Sequence, residues 1–237
     1  MRAFFGEFLG TFILVFVGCG TVAIEVLFGV FGHIIPIALM WGGGVALAIF
    51  ASRKWCPAHL NPAVSMAFWL TKEISTLKLL LFTIAQFIGA FVSALFLYLI
   101  FNNSILEFEP VKTVATAKMF GEYYSVDTSD AFLYELVGTA FLVMMIFWIV
   151  TKVTSKNLIP VLIGLVVSIA IVFIAPYTQC GINPARDFAP RLFSYLMGWE
   201  RAAFYQEPIK VYVIAPFFGA GIGCMVFFYI KKAFANN

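Results

Sequence analysis

Charge is the first thing this sequence lacks. Asp, Glu, Lys and Arg together make up 11% of its 237 residues, against about a quarter in an ordinary soluble domain, so a water-facing globular surface is excluded. Histidine occurs only at His33 and His59, and Cys19, Cys56, Cys180 and Cys224 are scattered without metal-ligand spacing or an obvious disulfide partner. No metal site, cofactor motif or nucleophile–base pair is visible, so enzyme chemistry is not expected. The chain also lacks the ten-residue alternating segments of a membrane β-barrel.

What is present is apolar and continuous. Hydrophobic residues account for 62% of the chain. Uncharged runs cover Ile34–Ala51, Leu79–Phe101, Leu136–Thr151, Leu158–Cys180 and Val211–Ile230, and Phe8–Phe31 is interrupted only by Glu25. A helix needs roughly 20 apolar residues to cross the hydrocarbon, so six spans are expected. Arg2 before an apolar stretch, with Val17-Gly18-Cys19, has the look of a cleaved leader. Glu7 inside that stretch, and the run beyond any cleavage point, make it the first span instead.

With six spans, the termini and the second and fourth connections share one side. That side gathers Arg2, Arg53, Lys54, Lys72, Lys78, Lys152, Lys156, Lys231 and Lys232. The third connection, Asn102–Asp130, carries Glu107, Glu109, Glu122, Asp127 and Asp130 against Lys112 and Lys118. The positive-inside rule therefore places both termini in the cytoplasm. The net charge of +3 reflects this asymmetry and gives no reason to expect nucleic acid.

The chain repeats itself. Glu7-Phe-Leu-Gly-Thr matches Glu135-Leu-Val-Gly-Thr, Ile35-Pro36 matches Ile159-Pro160, and Asn61-Pro62-Ala63 matches Asn183-Pro184-Ala185. Each half, about 1–101 and 131–230, reads as helix, helix, half-segment, helix, joined by an extracellular connection 102–130 within one domain, 1–237. Three spans per half force the second copy to run upside down, and inverted repeats place a shared site at the midplane where broken helices meet. Asn61–Leu70 and Asn183–Met197 are apolar enough for the membrane interior and too short to cross it. They are read as re-entrant half-helices rather than surface loops.

Asn-Pro-Ala suits a helix start. Asn is a favoured N-cap, Pro a favoured first helical residue, and the residue before Pro is held extended. With its oxygen capping backbone N–H groups, each Asn keeps an NH₂ free to donate, so Asn61 and Asn183 would aim donors at one spot from opposite sides. The extended stretches ahead of them, Pro57-Ala58-His59-Leu60 and Gln179-Cys180-Gly181-Ile182, would offer a ladder of carbonyls, since irregular backbone at this depth survives only when buried or lining a cavity. His59 is expected to hydrogen-bond within its own loop. Arg186, in the first turn of the second half-helix, sits where a cation is disfavoured and is costly at this depth without a watery cavity. It is expected to be a donor at a constriction. Glu7 and Glu135 occupy equivalent positions and are read as acceptors for loop N–H groups, with proton coupling as the competing role.

Two Asn-Pro-Ala motifs, Glu-x-x-Gly-Thr in the first helix, Ala85-Gln86 in the third and Asn183-Pro-Ala-Arg-Asp together resemble the major intrinsic protein family, the aquaporins and glycerol facilitators, over essentially the whole chain. The resemblance implies an all-α membrane protein of six transmembrane helices and two re-entrant half-helices, a homotetramer in the lipid bilayer with one pore per subunit, and no cofactor. Asp187, Arg191, Phe101, Pro216 and the stretch Gly198-Trp199…Ala203-Phe204 are similar to the glycerol-conducting branch, although Phe217 replaces the aliphatic residue usual after that proline. By position in the family, Trp41, Ile171, Cys180 and Arg186 would form the selectivity filter. Glycerol channels pair Gly with a second aromatic where this chain has Ile171 and Cys180, and water-specific channels place His at the Ile171 position. The expectation is a passive channel for glycerol or similar uncharged solutes and water, excluding protons and ions. A water-selective channel and a proton-coupled transporter using Glu7 or Glu135 are the alternatives. Short termini point to a prokaryotic inner membrane.

Overall fold

The computed structural model describes residues 1–235. Backbone N–H and C=O groups in hydrocarbon must be satisfied within their own segment, and the apolar runs accordingly fold as helices. These are α1 (Arg2–Phe28), α2 (Ile34–Ser52), α3 (Pro62–Leu70), α4 (Thr76–Phe108), α5 (Val114–Ala117), α6 (Thr128–Lys152), α7 (Leu158–Thr178), α8 (Pro184–Ser194), α9 (Glu200–Ala203) and α10 (Ala215–Ala235), with π-helical turns at Tyr195–Trp199 and Ile209–Ile214. Among the described residues, six segments are long and apolar enough to cross a membrane: α1, α2, α4, α6, α7 and Ile209–Ala233. No strand occurs among the described residues.

Packing follows the repeat. α1 lies against α4 as α6 lies against α10, α1 meets α2 as α6 meets α7, and α2 crosses α7. The short α3 packs on α10 and α4, while α8 packs on α4 and the turn before α10. Exchanging the two halves maps this pattern onto itself. Glycines set the close approaches. A Cβ on Gly42 would run into the Gly164 carbonyl, and one on Gly164 into the Gly42 carbonyl, at the α2–α7 crossing. Likewise Gly89 abuts the Phe8 carbonyl and Gly219 the Leu136 carbonyl, in the residues that follow Glu7 and Glu135. Outward, Leu77, Leu80, Ile84, Ile88, Phe96 and Leu99 form an exposed stripe along α4, an apolar surface that suits lipid rather than water.

The third span differs from its expected end at Phe101, and the connection is shorter than 102–130. α4 continues to Phe108 because Ile105 is fully buried and holds the extra turns down. It stops where Pro110 forces Glu109 extended (φ −146°, ψ 117°).

Candidate functional site

Both half-helices begin at their Asn-Pro pairs. Asn61 and Asn183 are extended, each followed by proline at the first helical position. The Asn61 Oδ1 accepts from Ala63 N at 2.9 Å, and the Asn183 Oδ1 from Ala185 N at 3.1 Å and Arg186 N at 3.3 Å. The amide nitrogens are not wholly free. Asn61 Nδ2 donates to Ile182 O and Asn183 Nδ2 to Leu60 O, each at 2.8 Å, so each loop is tied to the other's cap. One N–H of each amide goes to this cross-tie, and both residues line the same passage.

The loops feeding these caps hold backbone that side-chain-bearing residues rarely adopt. Ala58 and Leu60 have φ of 58° and 54°, and Gln179, Cys180 and Ile182 have 61°, 66° and 41°. Each such residue costs roughly 1–3 kcal/mol and persists only where its surroundings impose it. Two buried carboxylates impose it here. Glu7 Oε1 accepts from His59 N at 2.9 Å, and its Oε2 from Leu60 N and Gln86 Nε2, both at 2.8 Å. Glu135 Oε1 accepts from Gly181 N at 2.9 Å and Thr178 Oγ1 at 2.6 Å, and its Oε2 from Ile182 N at 2.6 Å. Both stand behind the loops rather than in the passage. His59 faces Ser65 Oγ through Nδ1 at 3.2 Å and stacks on Phe68 with centroids 4.4 Å apart. Gly181 has room for no side chain, since a Cβ would lie 2.6 Å from the Tyr212 ring.

Pro57, Ala58, His59 and Leu60 line the passage from one loop, and Cys180, Gly181 and Ile182 from the other. Gln179 does not. It closes α7, its N–H bonding Ala175 O, while its side-chain oxygen accepts from Tyr123 N at 2.7 Å. The rest of the wall is apolar, with Leu14, Val45, Ile49, Val64, Phe68, Leu142, Ile146 and Ile163 among its members, around a cavity of about 130 Å³.

Trp41, Ile171, Cys180 and Arg186 are all buried and border the same passage. The Arg186 guanidinium carbon lies 4.2 Å from the Trp41 ring centre. Arg186 Nη1 has no partner among the described residues, while Nη2 pairs with the Glu122 carboxylate. Glu122 went unrecognised in the sequence, where it counted only as one of several acids in the third connection. Its backbone is clamped from α8: Glu122 N donates to Asp187 Oδ1 at 2.7 Å, and Glu122 O accepts from Arg191 Nη2. Arg191 in turn forks onto Asp187, Nε to Oδ2 at 3.0 Å and Nη2 to Oδ1 at 2.9 Å, with both side chains buried.

The family model described as Major intrinsic protein matches residues 1–227. The chain belongs to the major intrinsic protein family. Among its relatives in that family, the glycerol uptake facilitator protein of Haemophilus influenzae is 35% identical, the alignment covering 98% of this chain and 93% of that one. The glycerol uptake facilitator protein of Escherichia coli K12 is 36% identical over 93% of this chain and 83% of its own. The X-ray structure of the aquaglyceroporin from Plasmodium falciparum superposes with a TM-score of 0.87 at 27% identity, covering 95% and 94% of the two chains.

Proposed function

We propose that this family member is a passive channel for glycerol, similar small uncharged solutes and water. The observation that carries the reading is the two-sided constriction. The Trp41 ring and Ile171 offer an apolar wall, and Arg186, its guanidinium stacked on that ring, offers beside it an Nη1 with no partner among the described residues. A polyol presents carbon on one side and hydroxyls on the other, and such a site binds it without holding it fast, as conduction requires. The names of the glycerol facilitators above support the same solute class.

Asn61 and Asn183 act as midplane donors, and the loop carbonyls of Pro57–Leu60 and Cys180–Ile182 as acceptors along the path. The N-termini of α3 and α8 converge there, and their positive dipole ends disfavour protons and cations. Glu7 and Glu135 support the loops. Their oxygens already accept three donors apiece, which argues against a proton-coupled cycle. The chain forms one channel domain of two inverted repeats, assembles as a homotetramer, and lies in a prokaryotic inner membrane with both termini cytoplasmic.

Stopped-flow swelling of proteoliposomes under a glycerol gradient tests the reading. The expected result is flux that is linear in concentration and indifferent to a proton gradient. Water flux without glycerol flux makes the protein a water-selective channel instead. Saturating flux driven by a proton gradient makes it a coupled transporter.

A further inference from the structure

The Arg186 guanidinium is shared between two environments. Nη1 is buried without a partner among the described residues, and Nη2 is paired with Glu122. Glu122 does not itself line the passage. Its position is nonetheless built, because Asp187 fixes its N–H and Arg191 its carbonyl. Gly121 lies so close to the Arg191 guanidinium that a Cβ there would come within 2.7 Å of its central carbon. The third connection is therefore pinned onto α8 in the one arrangement that presents a carboxylate to the constriction arginine.

We propose that Glu122 is a selectivity-determining positioning residue whose ionisation sets the charge of the constriction and so gates the channel by pH. With Glu122 ionised, the Arg186–Glu122 pair is neutral overall, Nη2 is held against the connection, and one guanidinium edge meets the solute. With Glu122 protonated, the constriction carries an uncompensated positive charge in a low-dielectric setting. It then holds hydroxyl and water oxygens more tightly and releases them more slowly. The inference rests on the channel reading above and adds its regulation.

Several ionisable groups lie close enough to act on this carboxyl electrostatically: Arg186, Asp187 and Arg191 from α8, Glu135 from α6, Cys19 from α1, Cys180 from the second loop, and Tyr123 and Tyr212. Burial pushes the Glu122 carboxyl up to about 7, Arg186 pulls against this, and Asp187 and Glu135 add to the rise. The ionised form therefore prevails above neutrality and is lost as pH falls. For a group titrating there, the ionised fraction drops about tenfold between one pH unit above and one below.

The test measures glycerol and water permeability of reconstituted wild type, Glu122→Gln and Glu122→Asp across pH 6 to 8, alongside the infrared carboxylic-acid band. Wild-type flux is expected to fall several-fold, toward that tenfold limit, as pH drops. Glu122→Gln should stay near the acid-side flux at every pH. Glu122→Asp should retain a titration, and the wild-type acid band should grow on acidification and be absent in Glu122→Gln. A flat wild-type profile, or a profile and band unchanged in Glu122→Gln, overturns the proposal. Because water is read in the same vesicles, a wild type that passes water but no glycerol defeats the solute assignment while leaving this inference decidable. The wild-type profile and band also need no variant to fold.

Discussion

Glu135→Gln keeps the size of the side chain and replaces one acceptor oxygen with an NH₂ group. In the native chain both carboxylate oxygens accept, Oε1 from Gly181 N and Thr178 Oγ1 and Oε2 from Ile182 N, and the side chain is fully buried. A glutamine has one accepting oxygen. Its best placement keeps Gly181 and Thr178 and turns NH₂ toward the Ile182 N–H, donor against donor. Hydrogen bonds to a charged group contribute about 1.5–3 kcal/mol each, and a buried donor left without an acceptor costs about 1–3 kcal/mol. One donor stranded and two bonds weakened from charged to neutral, by about 1 kcal/mol each, come to roughly 3–5 kcal/mol, a large share of the roughly 5–15 kcal/mol that holds a typical fold. Ile182 would lose the bond that holds its φ of 41°, and with it the carbonyl that ties Asn61. Thermal unfolding of the detergent-solubilised protein should show a clear drop in Tm, matched by Glu7→Gln in the equivalent position, with flux falling in proportion to folded protein. A variant that melts like wild type yet loses a proton-driven component of flux would refute the reasoning, because the carboxylate would then serve proton transfer rather than loop support.

Gly42→Val should destabilise the protein by about 3 kcal/mol or more through overpacking at the α2–α7 crossing, where the Gly164 carbonyl and Ser168 hydroxyl already occupy the space of a Cβ. Melting temperature reads this directly, and an unchanged Tm would mean the helices cross elsewhere. Cys180 is buried and borders the passage, so mercurials should block flux through wild type and fail to block Cys180→Ser. Block persisting in that variant places the sensitive thiol at another cysteine.

The spans were legible because hydrocarbon leaves the backbone no choice but helix, and the half-helices because Asn followed by Pro specifies a cap wherever it falls. The end of α4 was not, since Asn102, Asn103 and Ser104 look like a stop and only the burial of Ile105 explains why the helix passes through them. The cross-tie between the Asn amides and the opposite carbonyls also escaped, because it pairs residues 121 and 123 positions apart. Glu122 is the largest omission, and its cause is general. An acid in a connection between spans carries no periodic pattern, and what brings it to Arg186 is a clamp built from Asp187 and Arg191, more than sixty positions away.

That clamp explains why the two halves of the pore are not equivalent. The first half-helix has Val64 where the second has Arg186, each three residues after its Asn. Val64 is buried and faces the same passage, among apolar neighbours such as Leu14 and Ile146. An arginine there would need what Arg186 has, an aromatic face and a carboxylate held in register. A buried ion stripped of its partner typically costs 3–5 kcal/mol. The structure provides a partner on only one side, by draping the third connection over α8 and locking it with a second, fully buried ion pair between Arg191 and Asp187. The repeat can therefore duplicate caps, loops and supporting carboxylates, whose partners lie within the same half or in its counterpart. A charged constriction needs a partner from outside the repeat, so it arises once, on the side where the long connection falls.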